Sequence, residues 1–498
     1  MVFETKDTLT EEEVQRGLSA LTKQGLASQV KLTITEGVFL VAFALALRAP
    51  NTVIGILAAI PYIAQLLQVP SVYLVERFRN RRLINFVTTL GSRIAILLMA
   101  LIPFFMVGEL SVVALLVLVG TQAAFVAIGS PSWNSLLQDI VPQDKLGAFF
   151  SHRMALQAVV AVVITLLGGY FVGQWIAVSP SSSVYAYSTL FFISFGIGLI
   201  SVYFITVIPE PLMTTIEKRT GFTDLLASPY RDDNFRNLMI FSAIWTFSTS
   251  LAGPFFTVYL LVQLQLELPV ATTVAAITQV MSILFFKYWG RLADRFTNKS
   301  VLLVAVPLFM IGTALWIFTV PSTQPGYELI TIPLLVLIHI LAGVSSAGVG
   351  LTTNNIGLKL APRGKATSYL AAKGIVVAIA GAFASVIGGV LADVFSGQTL
   401  NIRLEWVNNE GMHFTFDLIP LEGLDFLFLV SIVVGVYSLH RLAFVKEEGE
   451  VESKIVLEAI LAETRRNVRT LSTVDGLRHT FQIPVDSMKR RQRKTKKE

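Results

Sequence analysis

Twelve stretches of about 20 residues, each nearly free of charge, recur along this chain and limit its fold more than any other feature. They lie near 30–48, 53–75, 83–107, 112–135, 154–176, 187–208, 236–262, 270–289, 300–320, 331–357, 367–395 and 423–444. About 20 apolar residues in a helix cross the hydrocarbon of a bilayer. Only helices and closed barrels pair all their backbone groups there. The expectation is an all-α integral membrane protein. Composition agrees. Of 498 residues, 14% are charged, against about 25% in soluble chains, and the mean hydropathy is +0.67. A soluble body of this length would lack the polar residues to cover its surface.

The absence of cysteine excludes disulfides, thiolate nucleophiles and cysteine-based metal sites. The five histidines show no H-x-x-x-H spacing, and no G-x-x-x-x-G-K-[ST] run is present. No cofactor, metal or catalytic group is therefore expected.

Lys and Arg cluster in alternate loops: Arg77 to Arg82, Lys145 to Arg153, Lys218 to Arg236, Arg291 to Lys299, and Lys359 to Lys365. The other loops carry Arg48, Arg403 and little else. Basic loops stay on the cytoplasmic side, which predicts a multi-pass protein of the cytoplasmic membrane with both termini inside. The expected organisation is a cytoplasmic segment 1–29, a six-helix half 30–208, a central loop 209–235, a second six-helix half 236–444 and a basic tail 445–498. Thr10 and Glu13 match a capping box opening an amphipathic surface helix. The tail reads as helical over 450–470 and ends in Lys489 to Lys497, a run suited to anionic lipid rather than nucleic acid.

The halves repeat. Leu74-Val75-Glu76-Arg77-Phe78-Arg79-Asn80-Arg81 matches Leu292-Ala293-Asp294-Arg295-Phe296-Thr297-Asn298-Lys299 at an offset of 218. Pro142, Lys145, Phe149 and Arg153 match Pro362, Lys365, Tyr369 and Lys373 at 220. At that same offset Asn134 matches Asn354, and Gly168-Gly169 matches Gly388-Gly389. Parallel six-helix halves place a pseudo-twofold axis along the membrane normal and a substrate site between them near the midplane.

Gly290-Arg291-Leu292-Ala293-Asp294-Arg295-Phe296-Thr297-Asn298-Lys299 resembles the loop signature of the major facilitator superfamily, G-x-L-a-D-r-x-g-r-k. The first copy departs from it, with Val72 at the usual Gly and Glu76 at the usual Asp. With Ser130-Pro131-Ser132-Trp133-Asn134-Ser135, Asp139 and Pro142 the chain is similar to a prokaryotic branch of that family. The resemblance implies twelve helices in two pseudo-symmetric halves and a cavity lined by spans 1, 4, 7 and 10. No Arg stands in 112–135 and no Gly-Pro signature in span 5, so drug/proton antiport is not implied. Glu76, Arg77, Arg81, Asp294, Arg295 and Lys299 read as a conformational latch, the acids facing helix amino ends and the cations gripping carboxylates or lipid phosphates. For the basic members, plain topology signals are the alternative.

Ionisable residues inside spans are costly and mark sites or structural pairs. Glu36 lies about 9 Å into span 1. It is a candidate proton or substrate carboxylate, or else a structural partner of Lys31 or Lys373. Arg93 lies about 16 Å into span 3, as an ion-pair or carbonyl-capping group or a substrate contact. Lys287, His339, Asp393 and Asp425 sit nearer span ends, and His339 reads as a packing residue. On the spans that the resemblance places around the cavity, Gln122, Trp133, Asn134, Trp245, Asn354 and Asn355 are candidate contacts, with Thr246, Ser250, Tyr259, Thr352 and Thr353 beside them. Pro254 predicts a kink. The lining favours a neutral or amphipathic organic solute over a polyanion. The expected function is secondary transport of a small organic solute by a monomer through alternating access, driven by a proton or other ion gradient or by the solute gradient itself. The alternative is a non-transporting membrane sensor or assembly protein acting through the tail.

Overall fold

The computed structural model describes residues 5–6, 9–142, 146–213, 228–362, 365–401, 403–407, 413–417 and 420–447. The tail expected to form a helix and a basic run lies outside them, as does 214–227 of the central loop.

Among the described residues, eleven helices are long and apolar enough to cross a membrane, and a bent pair makes a twelfth span. Span 1 is Glu11–Thr35 continued by Gly37–Ala46. Span 2 is Asn51–Gln65 and Gln68–Phe78, bent by 42° between them. Spans 3 to 6 are Arg81–Phe105, Glu109–Ile140, Leu146–Val178 and Ser183–Val207. Span 7 is Asp233–Ala252, Phe255–Val258 and a π-turn at Tyr259–Gln263. Spans 8 to 12 are Leu268–Arg295, Asn298–Leu315 with a 3₁₀ turn at Trp316–Phe318, Tyr327–Leu360, Ala366–Phe395 and Leu424–Ala443.

Several spans outrun the apolar stretches that announce them. Span 4 has 32 residues and span 10 has 34, about 48 and 51 Å at 1.5 Å per residue, against a hydrocarbon core of about 30 Å. Hydropathy marks where a helix meets lipid, not where it ends. The N-terminal segment differs from expectation for the same reason. The capping box is present, with Thr10 Oγ1 accepting from Glu13 N and Glu13 Oε2 accepting from Thr10 N. The helix it opens is no separate surface element, because it runs unbroken to Thr35 as the first part of span 1.

Three small pairings lie outside the bundle. β1 (Thr5–Lys6) runs parallel to β2 (Glu210–Pro211). Within the segment read as a loop, β3 (Thr399–Leu400) pairs with β6 (Leu421–Glu422), and β4 (Arg403–Val407) forms an antiparallel ladder with β5 (His413–Asp417).

The loops after spans 2, 4, 8 and 10 define a basic end of the bundle, and the loops after spans 1, 3, 5, 7, 9 and 11 its far end. Span 2 packs on span 11 and span 5 on span 8, and these two seams join the halves. One apolar core takes residues from both halves, among them Phe39, Phe43 and Phe191 from the first and Phe255, Tyr259 and Phe428 from the second. Toward the basic end the cores separate. One, around Leu21, Leu137 and Ile208, belongs to the first half. Two others, around Phe235 and Leu302 and around Trp289 and Leu292, belong to the second.

The repeated glycine pairs mark the close approaches. A Cβ on Gly168 would stand 2.7 Å from Phe39 Cζ, and one on Gly169 would collide with Thr272 Oγ1 across the span 5–span 8 seam. Their equivalents do the same: Gly388 meets Leu251 O and Phe255, and Gly389 meets Asn51 O at 2.7 Å across the span 2–span 11 seam. Without hydrophobic driving force between helices in lipid, such contact is what holds them together. Gly389→Val is expected to lower stability by about 1–3 kcal/mol, read as a lower melting temperature in detergent. Gly350→Ala, where a Cβ meets nothing within 4 Å, should leave it unchanged or slightly raised.

Candidate functional site

Spans 1 and 7 break at equivalent positions. In span 1, Glu36 is extended (φ −135°, ψ 172°) and Gly37 has φ +59°, a conformation in which side chains other than glycine's are strained. In span 7 the break follows Gly253, at Pro254, which has no N–H to continue the ladder. Adding the 218-residue offset to Glu36 gives Pro254. The pieces beyond the breaks, Gly37–Ala46 and Phe255–Val258, pack on each other across the halves. The span 1 break therefore sits near the central axis, about 15 Å from that span's far end.

Glu36 is half exposed there. Its neighbour Lys31 is buried, with Nζ 3.7 Å from Glu36 Oε1. Of the two partners considered from sequence, Lys31 is the one found. Lys373 instead donates to Thr353 O. Arg93 is buried among spans 1, 3 and 6. It donates to Ser201 Oγ at 3.0 Å and Ser28 Oγ at 3.4 Å, and its Nε has no partner. Gln122 is buried on span 4. Trp133 is half buried beneath the Arg153 guanidinium, 5.8 Å from its ring centre. Asn134 and Asn354 are exposed and Asn355 is half buried. Trp245 packs edge-on to Phe309 of span 9 at 5.4 Å, inside the second half's own core. His339 is buried beside Trp316, its Nδ1 2.8 Å from Leu335 O.

The seam between spans 2 and 11 carries a polar joint. Asp393 of span 11 accepts from Asn51 N at 3.0 Å, Thr52 N at 2.8 Å and Thr52 Oγ1 at 2.6 Å. A carboxylate of one half thus caps a helix of the other, with charge and helix dipole matched. At the equivalent place on the other seam Gly173 lies against Pro269. Nearer the middle, Tyr62 Oη and Ser250 Oγ are 2.9 Å apart, and Gln279 Nε2 donates to Thr165 Oγ1 at 3.4 Å.

The latch candidates divide. Arg77, Asp294 and Arg295 are exposed and Glu76 is half buried. Arg81 is fully buried, and its partners are in its own half: Glu210 Oε1 at 2.9 Å, Ser135 Oγ at 3.0 Å, Pro211 O at 2.7 Å and Asp139. Glu210 also accepts from Arg82 N at 2.6 Å. Glu447 plays the same part in the second half, accepting from Lys299 N at 2.8 Å, Asn298 Nδ2 at 2.9 Å and Lys359 Nζ at 3.0 Å. Each half thus ends in a buried glutamate that caps its third helix. Sequence reading missed both glutamates. The signal that could have found them is an acid soon after the last span of each half.

Known proteins share this twofold bundle. The family model of the Major Facilitator Superfamily matches residues 28–400. The chain belongs to that superfamily. No curated protein matches it in sequence. Among solved structures, the nucleoside transporter NupG is 12% identical with a TM-score of 0.63, over 88% of this chain and 100% of that one. A bacterial homolog of the human lysosomal transporter Spinster, inward-facing and unoccupied, is 15% identical with a TM-score of 0.61, over 90% and 99%. The xylose transporter XylE from E. coli, inward open, is 14% identical with a TM-score of 0.60, over 90% and 99%. At these identities the likeness is one of fold. This superfamily member keeps the doubled architecture of the transporters it resembles.

Two measurements check the end-of-helix carboxylates. Burial alone would raise the Glu447 carboxyl, but its three donors outweigh burial and hold it below the ordinary carboxylate value. That stabilisation is fully present above the ordinary value, about 4, and is lost as pH falls through the depressed one. Glu447→Gln should therefore flatten the acid limb of melting temperature against pH. Asp393→Ala removes a cap worth about 1 kcal/mol. In this cysteine-free chain, Val258→Cys, buried in the shared core, should then react about fivefold faster with an impermeant maleimide from the far end.

Proposed function

We propose that this protein is a secondary transporter that moves a small organic solute by alternating access, held here in a state closed at the far end and open at the basic end. The single observation that carries the reading is the distribution of contacts between halves. One shared core and two seams join them from the far end to the middle, and the cores nearer the basic end each belong to one half. Beyond Gln65, span 2 bends and exposes Leu66, Leu67, Tyr73 and Leu74. Rocking about the seams would close the basic end and free the far one, with the axial breaks as the fixed point.

The basic loops support placing the open end in the cytoplasm, in a cytoplasmic membrane with both termini inside. Glu76, Arg77, Asp294 and Arg295 stand at that end and fit contacts formed when it closes. Arg81 and Lys299 keep the adjoining helices in register within each half. The protein is expected to act as a monomer, with solute, lipid and a coupling ion as its partners.

Glu36 is the carboxylate best placed to couple a proton to the solute. It is half exposed at an axial break, and protonation would release Lys31 from its ion pair. In proteoliposomes, Glu36→Gln should keep solute exchange and lose accumulation driven by an imposed pH gradient, by tenfold or more, to the level set by exchange alone. Undiminished accumulation would remove Glu36 from that role.

A further inference from the structure

Two cations near the basic ends of spans 5 and 11 stand at equivalent places in the halves without a carboxylate partner among the described residues. Arg153 of span 5 and Lys373 of span 11 each lie seven residues past the start of their helix and 220 residues apart. Arg153 is half buried. It donates to Gln24 Oε1 at 3.2 Å, its Nε has no partner, and its guanidinium lies over the Trp133 ring. Lys373 is 7% exposed and donates to the backbone oxygen of Thr353. Residue 133 is the repeat equivalent of 353. The residue type differs between the copies, Arg for Lys, and so does the neighbour, Trp for Thr. What the repeat retains is the positive charge. At Lys373 a neutral amide would make the same hydrogen bond at far lower desolvation cost, so packing there does not require a cation. Lys31, by contrast, has Glu36.

We infer that Arg153 and Lys373 together bind the negative group of an organic anion, a carboxylate or phosphate whose apolar body rests against the cavity lining beside Trp133. The inference rests on the proposed cavity and names its substrate class. The pseudo-twofold axis runs between the two residues, so closing the basic end brings them toward each other. Like charges converging in low dielectric oppose closure. An anion between them removes that opposition, so it binds the closing state better and drives the rocking step.

The test uses the cysteine-free chain with Asn354→Cys as a reporter of basic-end accessibility to a maleimide. Replacing Arg153→Gln and Lys373→Gln together should favour closure without solute and slow labelling at least about threefold. The pair Arg153→Lys and Lys373→Arg keeps both charges and should label as the parent does. In parallel, aryl and alkyl carboxylates are set beside their methyl esters in a melting assay. Acids should stabilise the parent and its charge-preserving pair, and neither acids nor esters the double glutamine variant. Labelling unmoved by charge removal overturns the proposal, as does stabilisation by esters equal to that by acids. If Asn354→Cys does not label in the parent, the cavity reading itself fails. A reporter that labels but ignores the substitutions fails only the anion.

Discussion

Hydrocarbon offers no partner to a backbone amide, and the architecture of this protein follows from that. Each span satisfies its own N–H and C=O groups for most of its length. The exceptions are informative. Besides the bend between Gln65 and Gln68 in span 2, the ladder is interrupted at Glu36-Gly37 and at Gly253-Pro254, where the pieces of spans 1 and 7 beyond the breaks meet across the halves. Irregular backbone at membrane depth is tolerated where protein or a wet cavity covers it. The breaks are therefore where a membrane bundle can afford polar chemistry, and the Lys31–Glu36 pair is found at one of them.

The halves are related by repetition but not joined symmetrically. On one seam Asp393 caps the amino end of span 2, and on the other Gly173 packs against Pro269. The first contact is directional and charge-assisted. The second depends on shape alone. Within each half, the link between the last helix and the third is a buried glutamate, Glu210 or Glu447, that satisfies helix N–H groups and basic side chains together. Each six-helix unit is thus tied to itself at the basic end and to its partner at the far end.

Much of this was legible from residues. The twelve apolar runs, the offset between Leu74 and Leu292, and the paired glycines required no coordinates, because spanning length, repeat register and close approach each leave a local mark. Helix ends were less legible. Span 4 reaches Ile140 and span 1 begins at Glu11, since a helix outside lipid is marked by its caps rather than by hydropathy. The candidate site was legible in part. Glu36 stands at the span 1 break, whose far piece meets the other half, whereas Trp245 packs into its own half against Phe309 and Arg93 into the wall between spans 1, 3 and 6. Span membership tells which helix a residue is on, and helix rotation decides what it faces.

The sequence by itself determined the solvent, the number of spans and the doubling, because hydrophobic length and internal repetition act residue by residue along the chain. Only the tertiary structure decided at which end the halves share a core, which of two lysines holds Glu36, and that Asp393 reaches across to Asn51 and Thr52. Those outcomes depend on contacts between residues hundreds of positions apart, whose energies arise only once the helices are packed.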